Sequence, residues 1–342
     1  MHFPDLELSR LFAPRSIAVV GASTDPSKAG HQMVRSLAAF PGPLFAVNRA
    51  GADVLGKPGC RRLADIPEPI DLAVLVLPPE ATVEVLEECG ACGIHAAVLC
   101  SGGFAETGEA GAELQQQAVE IAERHHIWLL GPNTSGFANP PRQVFASFVP
   151  AIAQVPPGSL AVVAQSGGMN HALGFLGSND GLGFSHLIGL GNSANLDFPD
   201  VLDYLAGDDT TTAVALHLEG VRDGAGLTRA IRELSARKPV VAYKVGRADV
   251  QAFARSHTGA LLGDQRLAVA ALRQAGAVVV DSSTGAIDAL KALSTRRLTT
   301  DTTGVAVVTG QAGPGIVIAD VLRAAGMSVP ALGEATRARI AE

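Results

Sequence analysis

Lysine is nearly absent from this chain, with five in 342 residues. The sequence also has only four cysteines, two tyrosines and one tryptophan. No run of basic residues exists and the net charge is −7, which excludes the basic patch or stripe of a dedicated nucleic-acid binder. The cysteines, Cys60, Cys89, Cys92 and Cys100, are too few and too clustered for an extracellular disulfide framework. Long apolar runs are missing as well. The uncharged, apolar stretch at residues 304–319 is broken by Gly310, Gly313, Pro314 and Gly315, whereas a membrane span needs about 18 or more mostly apolar residues. Asp5 and Glu7 precede any apolar core, so no secretory signal is expected and the chain reads as cytoplasmic. What it has in quantity is apolar side chains, 47 %, against 17 % charged, with 38 glycines. That balance supports buried cores joined by tight turns.

The length predicts two domains and a further piece. Residues 16–21 (SIAVVG), 43–48 (PLFAVN), 70–77 (IDLAVLVL), 95–100 and 128–131 read as strands. They are separated by helical patterns at 30–40, 79–93 and 108–126. Buried apolar strands alternating with helices predict α/β architecture, a parallel, doubly wound sheet. Prolines at 140, 141, 150, 156 and 157 then mark a linker over 140–157. The rhythm restarts at 159–164, 184–190, 212–219, 239–245 and 277–281, a second α/β domain over 158–298. Residues 299–342 read as one more strand (304–309, GVAVVT) and helix, the start of an incomplete third α/β domain.

Three strand–turn–helix junctions carry the chemistry. At the first, Gly21 to Gly30, a glycine turn directs backbone amides and a helix dipole toward an anion. The G-x-G-x-x-G fingerprint is missing, and the second strand ends in Val47 and Asn48 without the acid that ribose hydroxyls want, which disfavours NAD. Gly51 to Lys57 imitates a P-loop, but Pro58 replaces the Mg²⁺-binding hydroxyl, so a plain loop is expected. The second junction, Ala164-Gln165-Ser166-Gly167-Gly168, admits two readings. It can be a phosphate cradle of hydroxyl, amides and helix N-terminus. It can equally be a nucleophile elbow, since Ser166, Glu219 and His257 follow hydrolase order. The third junction, 309–315, repeats the cradle with Gly313 and Gly315. His257 sits among small polar residues, with Lys244, Arg247 and Arg255 as nearby cations for a phosphoryl donor. A neutral imidazole there can act as nucleophile, oriented by Glu219. Cys89 and Cys92 read as buried small hydrophobes, not zinc ligands, and His125-His126 as a helix C-terminus. No metal site is expected.

These residues resemble a known family. The stretches at 16–30, Val47-Asn48, 101–106 (SGGFAE), Gly131-Pro132-Asn133, 164–168, Gly189-Leu190-Gly191-Asn192, Leu218-Glu219-Gly220 and Ser256-His257-Thr258-Gly259 occur in the order found in the CoA-binding half of the NDP-forming acyl-CoA synthetases, relatives of the succinyl-CoA synthetase α-subunit. The resemblance implies a Rossmann-like CoA-binding domain over 1–139, then a flavodoxin-like succinyl-CoA-synthetase-type domain. It implies CoA held by Gly21, Ser23, Lys28, Val47, Asn48, Pro78, Ser101 and Asn133. Ser166, Gly167 and Gly168 would hold phosphate, His257 would become phosphorylated, and Glu219 would orient it. The reaction implied is carboxylic acid + CoA + NTP ⇌ acyl-CoA + NDP + phosphate. ATP or GTP with Mg²⁺ would bind an ATP-grasp domain or β subunit that this chain has no stretch to supply. An oligomer is expected. Two alternatives stand beside this reading: a serine hydrolase using Ser166 and His257, and a non-catalytic CoA-binding regulator.

Overall fold

Strand and helix alternate through two sheets in the computed structural model, which describes residues 8–246, 265–295 and 304–341. Helix α1 (Ser9–Phe12) leads into β1 (Ile17–Val20), α2 (Ala29–Ser36), β2 (Leu44–Val47), β3 (Gly59–Cys60) and β4 (Leu72–Leu75). Helix α3 (Pro79–Ala91), β5 (Ala96–Leu99), α4 (Glu109–His125) and β6 (Trp128–Leu130) follow. The six strands are parallel, in the order β3-β2-β1-β4-β5-β6. Strands β1, β2, β4 and β5 are buried at every position. Helices on both faces leave no polar side, so these strands read as continuous Val, Leu, Ile and Ala rather than as alternation. The order reverses at β1, with β2 on one side and β4 on the other. The carboxyl ends of β1 and β4 therefore frame the crevice where such sheets bind ligands.

The second sheet contains β7 (Phe137–Asn139), β8 (Val144–Ala146), β9 (Pro157–Ala164), β10 (Phe184–Gly189), β11 (Ala213–Leu218), β12 (Val240–Lys244) and β13 (Val278–Val280). Its helices are α5 (Gly167–Asn179), α6 (Phe198–Gly207), α7 (Gly224–Ser235), α8 (Gln265–Gln274) and α9 (Ser283–Thr295). The strand order is β13-β12-β11-β9-β10-β7-β8. Five strands are parallel, and β7 runs antiparallel to both β10 and β8.

The proline-rich stretch at 140–157 is therefore not a bare linker. It holds β8 and two 3-10 turns, Pro140–Arg142 and Pro150–Gln154, and with β7 it extends the second sheet at one edge. Proline lacks an N–H and breaks long strands, but a three-residue edge strand fits between the breaks. The P-loop imitation is a loop as expected, closed by a bridge between Val54 and Lys57. His125 ends α4 and His126 caps it in the left-handed conformation, φ 53°. Cys89 is buried, but Cys92 is exposed where α3 ends, so only one of the pair is a core residue.

Residues 296–342 form a separate compact unit. The expected strand over 304–309 is not a strand: only Gly304 bridges, to Ser328. Helices α10 (Ala312–Ala324) and α11 (Glu334–Ala341) follow, and Val308, Ile316, Val317 and Val321 are exposed. An apolar run becomes a strand only where a neighbour takes its hydrogen bonds. Among the described residues, no helix is long and apolar enough to cross a membrane.

Candidate active site

The first set of expected residues collects along the carboxyl edge of the first sheet. Gly21 follows β1 with φ +88°, and a Cβ on it would lie 2.1 Å from the Val76 carbonyl oxygen that follows β4. Gly30 is as tightly placed, 1.9 Å from the Gly21 carbonyl, which seats α2 directly against the turn. Only glycine permits both the backbone conformation and this approach. Ser23 Oγ accepts the Asp25 N–H (3.1 Å), and Lys28, exposed, precedes the first residue of α2. Val47 ends β2 inside the core, and Asn48 spends its side chain on its own loop, donating to the Ala52 carbonyl (2.7 Å) and accepting the Ala52 N–H (3.0 Å). Pro78 is exposed just before α3, and Ser101, past β5, donates its hydroxyl to the Leu77 carbonyl.

The two sheets meet at a second locus. The Asn133 N–H donates to the Ser101 carbonyl (2.9 Å), which ties the loop after β6 to the end of β5. Asn133, Thr134 and Ser135 from that loop, Cys100 and Phe148, and Gln165 to Gly168 at the start of α5 line one cavity of about 220 Å³. Ser166 caps α5, its Oγ accepting the Met169 N–H (3.3 Å). That leaves the first-turn amides of Gly167 and Gly168 for a ligand, at the positive end of a 13-residue helix. A Cβ on Gly167 would stand 2.5 Å from Ser135 Oγ, whereas one on Gly168 would make only an ordinary contact with Ser166 Oγ at 3.8 Å. Burial pushes the Cys100 thiol up to about 12, so this wall is an unreactive one.

Glu219, just past β11, is brought to the same edge by its backbone. Its N–H and that of Gly220 both donate to Gln165 Oε1 (2.6 and 2.9 Å), and its carbonyl accepts from Lys244 Nζ (2.7 Å). Lys244 is 3 % exposed and also donates to the Val245 carbonyl (2.7 Å). Two of its three ammonium protons thus go to backbone oxygens, and one is left for the phosphoryl donor the sequence reading gave it. Burial holds its pKa below the usual lysine range despite the attraction of Glu219. His257, Arg247 and Arg255 lie outside the described residues. Gly313, exposed, and Gly315, half-buried, stand in the first turn of α10, in the separate unit.

The elbow reading of Ser166 does not match its backbone. A nucleophile elbow holds its serine on a strained turn, but Ser166 has an ordinary extended conformation, φ −76° and ψ 122°, with its Oγ engaged as a helix cap. Sequence reasoning passed over Gln165, Thr134 and Ser135. The run Thr134-Ser135 directly after Gly131-Pro132-Asn133 was the only available sign, and it reads as loop composition.

Two family models cover this arrangement in order: a CoA binding domain over residues 15–140 and a succinyl-CoA ligase like flavodoxin domain over 157–293. An ADP-forming acetate–CoA ligase I of Archaeoglobus fulgidus is 38 % identical over 317 residues, 92 % of this chain and 45 % of that protein. The α subunit of an ADP-forming acetate–CoA ligase II of Pyrococcus furiosus is 34 % identical over 335 residues, 96 % of this chain and 71 % of that subunit. Among solved structures, an acetyl-coenzyme A synthetase 1 of Ca. Korarchaeum cryptofilum, in complex with phosphate and ADP, superposes with a TM-score of 0.89 at 32 % identity, covering 96 % of this chain and 71 % of that one. The chain thus spans less than half the length of the Archaeoglobus relative. Two domain matches in sequence order and a solved relative of the same two-sheet architecture lead to one conclusion: this chain belongs to the ADP-forming acyl-CoA synthetase family and carries its CoA-binding and flavodoxin-like domains.

Proposed function

We propose that the chain is the CoA-binding and phosphoryl-carrying portion of an acid–thiol ligase that converts a carboxylic acid, CoA and ATP into acyl-CoA, ADP and phosphate. The observation that carries this reading is the cavity lined from both sheets at the N-terminus of α5. An anion there meets unspent first-turn amides beside the edge assigned to CoA. In this scheme His257 accepts the γ-phosphoryl group on a ring nitrogen and ADP leaves. The phosphoryl group passes to the substrate carboxylate, giving an acyl phosphate, and the CoA sulfur then attacks the acyl carbon. The C–O bond breaks and phosphate departs in the cradle formed by Ser166, Gly167 and Gly168. Glu219 orients the imidazole.

Gly21, Ser23, Lys28, Val47, Asn48, Pro78, Ser101 and Asn133 hold CoA in this scheme. The reading is supported by the tight turn at Gly21, where an added Cβ would run into the Val76 carbonyl that follows β4 at the crevice. The nucleotide and its Mg²⁺ bind an ATP-grasp domain or subunit, so the chain alone binds CoA and makes no ATP-dependent product. The exposed apolar side chains of the 304–341 unit suit continuation into a larger third domain, where Gly313 and Gly315 would add to phosphate binding.

Isothermal titration of the chain with CoA tests the first half of this proposal. Binding at micromolar CoA is expected, and no heat at high micromolar CoA would sink the assignment. Gly21→Ala is expected to weaken CoA at least tenfold and to destabilise the fold by about 1–3 kcal/mol, since the new methyl must displace the backbone after β4. Unchanged affinity in Gly21→Ala would remove that turn from the site. The second half is tested by γ-labelled ATP with the nucleotide-binding partner, which is expected to leave an acid-labile, base-stable label on this chain.

A further inference from the structure

Gln165 stands between β9 and α5, and its side chain reaches a strand end 54 residues away. Oε1 accepts the N–H of Glu219 (2.6 Å) and that of Gly220 (2.9 Å). Two donors facing one end of an amide settle its orientation: that end is the oxygen, and the other end is an NH₂ with two protons to give. Among the described residues, no acceptor takes a hydrogen bond from Nε2. Gln165 also lines the cavity at the start of α5.

An independent observation concerns the opposite wall. Ser135 is 8 % exposed, and its Oγ is buried without a hydrogen-bond partner, which is costly unless a ligand supplies one. It lines the same cavity, beside Gly167. The cavity therefore presents a side-chain NH₂, a hydroxyl and two first-turn amides, and among the described residues no carboxylate lines it. Its surplus of donors matches a ligand made of acceptor oxygens.

Building on the phosphate-cradle reading above, we propose that Gln165 is itself an anion-binding residue: Nε2 donates to a phosphoryl oxygen held at α5 while Oε1 fixes the strand end that carries Glu219. One amide thereby touches the ligand and sets the backbone of the residue assigned to orient the phosphoryl carrier. The shared chemistry is the phosphoryl oxygen, whether of free phosphate or of an acyl phosphate, and inorganic phosphate is the probe.

The test titrates phosphate into the full chain by calorimetry at fixed ionic strength. Gln165→Met removes both amide functions and is expected to weaken phosphate roughly tenfold or more, the worth of a hydrogen bond to a charged group. Gln165→Glu keeps an acceptor for both backbone amides but turns the donor end into a negative charge, and it is expected to lose still more. Affinity for CoA and the unfolding midpoint of Gln165→Glu stay at the parent's values, which a merely structural role for the side chain would not combine with lost phosphate. Should Gln165→Met fail to fold, Gln165→Glu decides alone. A Gln165→Glu chain that binds phosphate as tightly as the parent overturns this inference and leaves the cradle standing. A parent chain that binds no phosphate up to about 20 mM overturns the cradle and this inference together.

Discussion

His257→Asn, assayed with the nucleotide-binding partner, is expected to carry no phosphoryl label and to lower acyl-CoA formation by on the order of 10⁴-fold or more. The amide nitrogen of asparagine has its lone pair delocalised into the carbonyl, so it cannot attack phosphorus as an imidazole can. The substitution is close to imidazole in size, which confines the damage to chemistry. CoA affinity should not change, because the edge assigned to CoA belongs to the first sheet, around Gly21 and Val76. Glu219→Gln offers a graded comparison, since it keeps the shape and backbone bonds of a residue assigned only to orientation. A fall of about 10–100-fold with the label retained is expected. A His257→Asn chain that labels as well as the parent would refute the proposed mechanism outright.

Acid is expected to destabilise the fold steeply below neutrality, through two buried histidines of the second sheet. His186 in β10 and His217 in β11 are 1 % and 2 % exposed. Burial pushes both pKa values down to about 4. Neighbouring Lys244 adds to the effect at His217, while Asp208 opposes it at His186. The unfolded chain binds protons at these residues below about pH 6.5, and the folded chain resists until about pH 4. Their contribution is complete above pH 6.5 and drains away as the pH falls through that window, by about 3 kcal/mol for each residue. The unfolding midpoint should therefore drop by several degrees per histidine between pH 7 and 4.5. His217→Gln, which carries no titrating ring, should flatten the fall, and a variant that loses stability as steeply as the parent would show that His217 contributes nothing to it.

The sequence made the parallel strands plain because their environment is uniform. Residues 17–20 and 213–218 have helices on both faces, so the pattern is an apolar run, interrupted only by His217, with no turn residue in it. It was misleading where a strand's existence depends on partners. Residues 304–309 have the composition of a strand but pair only through Gly304. Residues 144–146 lie in a proline-rich stretch yet pair with β7. The candidate site divides the same way. Gly21 and Ser166 to Gly168 are legible because a turn into a helix has a local glycine and cap signature. The clasp of Gln165 on Glu219 and Gly220 is not, because backbone amides carry no mark in the sequence of what they will meet. Lys244 shows the converse: its charge is visible in the sequence, but the two carbonyls that accept two of its protons are not.

The loop after β10 lies along β6, the edge strand of the first sheet. The amides of Asn192, Ala194 and Leu196 donate to the carbonyls of Pro132, Gly131 and Leu129, and Asn195 Oδ1 accepts the Leu129 N–H. A single apolar cluster joins Val19 and Leu130 to Phe137, Ile188 and Leu216. What two family models divide near residue 140 thus lies within one compact unit. Cutting the chain there would leave the first sheet with a bare strand edge, open to pairing with other chains. Calorimetry of the intact 8–295 region should register a single transition where two domain names suggest two.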